Sequence, residues 1–76
     1  MALLIRGSVG PLVTKLQTDL NTVGVTVDVD GVYGAGTEKA VKTFQTASGL
    51  KSDGAFGHDT EAKLTESLGM IAKPNA

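Results

Sequence analysis

One short pattern occurs twice and sets the terms for any fold of this chain. Asp30-Gly-Val-Tyr-Gly-Ala-Gly-Thr-Glu38 aligns with Asp53-Gly-Ala-Phe-Gly-His-Asp-Thr-Glu61 at a constant offset of 23 residues, with five of nine positions identical and Tyr33 exchanged for Phe56. A repeat of this kind is one structural solution used twice. Its local chemistry is readable. An aspartate at the head of a loop can accept the N–H two residues on, closing an Asx-turn. Gly31 and Gly54 supply a positive φ. The aromatic is expected to reach inward as an anchor. Gly34 and Gly57 fall where a helix N-cap belongs, and Thr37 and Thr60 fall in the first turn, where a hydroxyl can satisfy a free N–H.

The segments around the loops read as three helices. The first begins after Gly10-Pro11, since proline suits the first helical position. Val13, Leu16, Leu20 and Val23 then form one apolar stripe, and the segment stops at Gly24-Val25. The second starts near Gly34-Ala35, places Ala40, Val41, Phe44 and Ala47 on one face, and stops at Gly49-Leu50. The third starts near Gly57-His58, carries Leu64 and Leu68, and stops at Gly69-Met70. Each stop is glycine followed by an apolar residue, the pattern of a left-handed helix cap. Glu38–Lys42 and Asp59–Lys63 are expected to pair at i,i+4. Val25-Thr-Val-Asp-Val-Asp30 alternates and reads as extended, a minor ribbon at most. The fold class is therefore all-α: a compact three-helix domain over residues 1–72, with 73–76 a tail or the start of a linker.

With 76 residues the chain has room for a thin core and little for a deep catalytic pocket. It has no cysteine, hence neither disulfides nor thiolate metal sites. Its seven basic residues are scattered and its net charge is −1, unlike the clustered basic face of a nucleic-acid binder. No stretch approaches the ~20 apolar residues of a membrane span. The start, Met1 to Arg6, has too short an apolar run for an export signal.

Catalytic chemistry fits poorly. His58 is the single histidine, and a zinc site needs three or four ligands. Asp28-Val-Asp30-Gly31 resembles the middle of a calcium loop, but Thr26 and Thr37 stand where that loop needs carboxylates. Glu38 and Glu61 hold equivalent first-turn positions with an ordinary macrodipole role. No serine lies on a nucleophile-elbow pattern. The chain is expected to bind rather than catalyse, with no cofactor and no metal.

The full spacing carries a resemblance. Gly7-Ser-x-Gly-x-x-Val13-x-x-Leu16-Gln17-x-x-Leu20 is followed by Asp30-Gly-x-Tyr33-Gly-x-x-Thr37-x-x-Ala40-Val41-x-x-Phe44-Gln45. Gly49-Leu50 and Asp53-Gly-x-Phe56-Gly-x-x-Thr60-x-x-x-Leu64 complete it. From Gly7 to Leu68 this resembles the peptidoglycan-binding domain family, three-helix modules that attach hydrolases to murein. The resemblance implies non-catalytic binding of peptidoglycan, a linked hydrolase such as an endolysin, amidase or muramidase, and action at the bacterial wall or periplasm. It leaves one alternative, a protein-binding or propeptide-like domain of the same fold; relatives of that kind hold zinc with a cysteine that this chain lacks.

The expected ligand site is the first loop and the helix start behind it. Free N–H groups near Gly34, Ala35, Gly36 and Thr37 would accept a stem-peptide carboxylate or carbonyl. Asp30, Tyr33 and Gln45 would complete the site. Gln17 and Gln45 each follow the main apolar residue of a helix, and either brace a loop or face the ligand.

Overall fold

The apolar stripes and glycine stops produce three helices: α1 (Pro11–Thr22), α2 (Ala35–Ala47) and α3 (His58–Ala72). The structure, a computed structural model, describes the backbone of residues 4–72 and the side chains of residues 4–69. The tail expected at 73–76 lies outside the described residues. α1 packs against both α2 and α3. Val13, Leu16 and Leu20 of α1, Ala40, Val41 and Phe44 of α2, and Leu64 of α3 meet in one core with Tyr33 and Phe56. Val23, Val25, Val27 and Leu68 pack against its edge. Ala47, placed on the α2 stripe by its spacing, is exposed. No helix among the described residues is long and apolar enough to cross a membrane.

Two of the three expected stops hold. Gly24 (φ 94°) and Gly49 (φ 76°) are left-handed. The Val25 N–H bonds to the Leu20 carbonyl and the Leu50 N–H to the Gln45 carbonyl, both at 2.8 Å. These are the six-to-one bonds of a Schellman cap, and the apolar residue after each glycine folds back as the pattern requires. Gly69 does not stop α3, which continues to Ala72. Met, Ile and Ala follow it, residues that sustain a helix, and glycine within a helix costs only ~1 kcal/mol relative to alanine.

The expected i,i+4 pairs are replaced. Glu38 turns to Arg6 at 3.2 Å, and Lys63 lies 3.5 Å from Glu66. Such exposed pairs contribute little, so their choice follows local geometry more than energy.

The extended stretch at 25–30 forms no strand. Val25 and Val27 turn toward the core while Thr26 and Asp28 face solvent, as their alternation implies. The Asn21 carboxamide holds this stretch. Its Oδ1 accepts the Val27 N–H (3.0 Å) and its Nδ2 donates to the Val27 carbonyl (2.7 Å). Strand-like pairing occurs instead between the N-terminal arm and the two loops, as isolated bridges Leu4–Phe56 and Val9–Val32. The arm also exchanges Gly7 N–H to the Tyr33 carbonyl (2.8 Å) and Tyr33 N–H to the Ser8 carbonyl (2.9 Å).

Candidate functional site

Both repeated loops are built alike, each from a helix behind and a helix ahead. Asp30 Oδ1 accepts the Val32 N–H and Asp53 Oδ1 the Ala55 N–H, each at 3.0 Å, so both are Asx-turns. Gly31 (φ 76°) and Gly54 (φ 77°) make the left-handed step. The buried carboxamide of Gln17 then plugs the first loop. Its Oε1 accepts the N–H groups of Asp30 (3.0 Å) and Gly31 (2.8 Å). Its Nε2 faces Asp30 Oδ1 (2.9 Å), the Val32 carbonyl (3.0 Å) and Thr37 Oγ1 (2.9 Å). Gln45 does the same for the second loop, through the Gly54 N–H, Asp53 Oδ1, the Ala55 carbonyl and Thr60 Oγ1, at 2.9–3.0 Å.

This settles the role of the glutamines. Gln17 is 0% exposed and Gln45 is 1% exposed, and both brace loops. It also corrects the reading of Thr37 and Thr60. Their hydroxyls receive a glutamine amide rather than a free helix N–H. No described side-chain N or O atom is buried without a partner, as an interior of low dielectric demands. The bonds act on the loop carboxylates too. The Gln17 amide and the Val32 N–H hold Asp30 below the usual carboxylate range. The Ala55 N–H and the Gln45 amide do so for Asp53.

Tyr33 is 0% exposed, and its hydroxyl donates to the Gly54 carbonyl at 2.6 Å. Its phenol is held well above its usual range, first by burial and then by the charges of Glu38 and Asp53. Tyr33 and Gln45 therefore stand beneath the surface, and the expectation that their side chains touch a ligand is corrected. Each has found its hydrogen-bond partners within the fold.

The other expected site residues come together. Asp30, Gly34, Ala35, Gly36 and Thr37 line one wall of an open groove of about 690 Å³. The stretch Gly24–Asp28 makes the opposite wall, held by Asn21, and Lys39, Ala40 and Thr43 of α2 form the floor. Gly34 caps α2 without a side-chain hydrogen bond. The amides of Ala35, Gly36 and Thr37 thus begin the helix unfilled, as first-turn amides do. Nothing local in the sequence marks Asn21, which holds the Gly24–Asp28 stretch through its bonds to Val27.

The second loop has an equivalent groove of about 440 Å³ along Asp53, Ala55 and Gly57–Thr60. There His58 and Asp59 replace Ala35 and Gly36. A carboxylate already occupies that helix start, where the macrodipole favours it. Each groove is lined by two carboxylates and one lysine; they differ in where the acid sits, since only the second has an aspartate in the place of Gly36.

The family model described as a peptidoglycan binding domain matches residues 9–64. The chain is 39% identical over 62 residues to the spore cortex-lytic enzyme of Oceanobacillus iheyensis, covering 80% of this chain and 22% of that enzyme. Among solved structures, the SleB N-terminal domain superposes with a TM-score of 0.82 at 39% identity, over 87% of this chain and 92% of that one. The endolysin of Burkholderia AP3 phage gives 0.83 at 38% identity, over 84% of this chain and 25% of the endolysin. The chain thus spans only a minor part of the two enzymes it resembles. With the match running through both loops and the first two helices and into the third, this chain belongs to the peptidoglycan-binding domain family.

Proposed function

We propose that this domain binds bacterial peptidoglycan without catalysing its cleavage, and that it holds a linked cell-wall hydrolase on its polymer. The observation that carries the reading is the match across residues 9–64, shared with domains in a spore cortex-lytic enzyme and a phage endolysin. The groove beside Asp30 and the α2 start lies inside that span and is the site assigned here. Gly34, Ala35, Gly36 and Thr37 contribute backbone amides, and Asp30 contributes the rim. Tyr33 and Gln45 act from below, by holding the loops that carry the surface. The domain works at the cell wall or in the periplasm.

A small open groove gives modest affinity, because association entropy offsets much of a small interface. Attachment matters by raising the local concentration of the linked enzyme on an insoluble substrate. The test is co-sedimentation with purified insoluble murein. The reading requires depletion from the supernatant, reversed by soluble muropeptides. A domain that stays in the supernatant at saturating murein overturns it.

A further inference from the structure

The chain contains one tyrosine, two phenylalanines and no tryptophan. Tyr33 is 0%, Phe44 4% and Phe56 7% exposed. This domain presents no tyrosine, phenylalanine or tryptophan ring on its surface, and its one imidazole, His58, lies at the second groove and not the first. A pyranose offers a flat C–H face that an aromatic ring covers well, with large contact area at low entropy cost. Among the described residues the planar side-chain amides that suit sugar hydroxyls are also engaged: Gln17 and Gln45 within the loops, Asn21 on Val27. The groove has neither of the usual means of holding a sugar ring.

What lines it suits a different ligand. Val25, Val27, Val32, Ala35 and Ala40 give small aliphatic surface, shaped for methyl groups rather than rings. Charges of both signs border it. Lys39 and the open amides of the α2 start supply positive character, Asp28 and Asp30 negative. Asp30 keeps Oδ1 for its own loop, while Asp28 forms no salt bridge or side-chain hydrogen bond among the described residues. The glycan strand of murein, with its lactyl groups joined to peptide, is nearly uncharged and gains nothing from such a border. The stem peptide carries alanine methyls, free carboxylates and, with a diamino acid, an ammonium group.

We infer that this groove recognises the stem peptide of peptidoglycan and not its glycan strand. The inference rests on the proposed function and narrows it to one component of the polymer. Lys39 and the α2 amides take a carboxylate, Asp28 takes the ammonium, and the valines take the methyl groups. The aspartate at the start of α3, where α2 has Gly36, assigns the peptide to the first loop. Asp59 stands where the peptide carboxylate would lie, so that copy is closed to it.

The experiment compares three probes with the same domain: intact murein, glycan strands stripped of peptide by an amidase with the freed lactyl carboxylates capped as amides, and free stem tetrapeptide. Intact murein should retain the domain and stripped glycan should not. The free peptide should shift the amide resonances of residues 34–37 and 25–28. Gly36→Asp, which copies the second loop at a position with no neighbour within 4 Å of an added Cβ, should weaken retention about tenfold. Lys39→Ala should weaken it roughly twofold to fivefold. Amide spectra of both variants establish that they remain folded. Equal retention on stripped glycan overturns the inference and leaves the proposed function standing. Shifts of the groove amides with a peptide-free disaccharide also overturn it. Failure to retain intact murein overturns both.

Discussion

The Tyr33 hydroxyl donates to the Gly54 carbonyl at 2.6 Å, so the aromatic of the first loop is bonded to the glycine of the second. The repeat is asymmetric here, since the second loop carries Phe56, which has no hydroxyl to return the contact. Tyr33→Phe keeps the ring and leaves a buried carbonyl without its donor. Such orphaning costs about 1–3 kcal/mol. Urea denaturation should show a lower midpoint at an unchanged slope, with murein retention intact at temperatures where the domain is folded. An unchanged midpoint would mean that the Gly54 carbonyl finds another donor.

Gln17→Glu separates the two ends of the carboxamide. The acceptor that holds the Asp30 and Gly31 amides survives, while the donor facing Asp30 Oδ1 at 2.9 Å becomes a second carboxylate. Two adjacent carboxylates resist joint ionisation, which raises the pKa of one of them. The variant should be destabilised at pH 7 and should recover as the pH falls toward about 5, an interval over which the loop aspartates leave the parent's stability unchanged. Thermal melts of both proteins across that interval give the sign directly.

The loop aspartates set the acid limb of the parent. Their folded pKa values lie below the ordinary value, so their contribution is present above about pH 4 and is lost as pH falls through the folded values. The double variant Asp30→Asn with Asp53→Asn keeps an oxygen for each turn and removes the titration. Its stability should vary less than the parent's between pH 5 and pH 2, read by circular dichroism. Tyr33 acts at the other end. Its folded value is raised, so stability falls as pH climbs beyond about 10, where the unfolded phenol ionises first. Tyr33→Phe should lack that alkaline loss.

Glycines of the two loops differ in what alanine would meet. At Gly54 a Cβ would sit 2.9 Å from Glu38 Cγ and 3.0 Å from Lys42 Cε, on a backbone with φ 77°. Gly54→Ala should cost about 1–3 kcal/mol. Gly36 has an ordinary φ and open space, within α2. Gly36→Ala should stabilise by about 0.5–1 kcal/mol. Calorimetry on the pair should give shifts of opposite sign.

What the sequence makes legible is what is local. The Gly10-Pro11 start, the Gly24 and Gly49 stops, the Asx-turns and the inward aromatics all follow from residues within a few positions of one another. The groove at Asp30 and Gly34–Thr37 was legible for the same reason, because a helix start advertises its amides. Contacts at a distance were not. Gln17 and Gln45 lie 28 residues apart while the loops repeat every 23, so the plugs fall out of register with what they plug. The Leu4–Phe56 bridge joins segments with no shared signal. Gly69 shows the limit from the other side: the same glycine-then-apolar pattern stops α1 and α2 but not α3.

α2 belongs to both loop units at once. It receives Gln17 at Thr37 and sends Gln45 onward to the loop ahead. A helix with both a receiving threonine and a sending glutamine is a link in an open-ended series. α1 sends without receiving. α3 receives at Thr60, and at the position matching Gln45 it carries Leu68, an aliphatic side chain packed against the core. The relay of glutamines therefore stops at α3, where an aliphatic residue stands in the sending position. Adding a third unit would take a polar residue at 68 and one more Asp-Gly loop, so this small domain has the grammar of a repeat protein written at its shortest length.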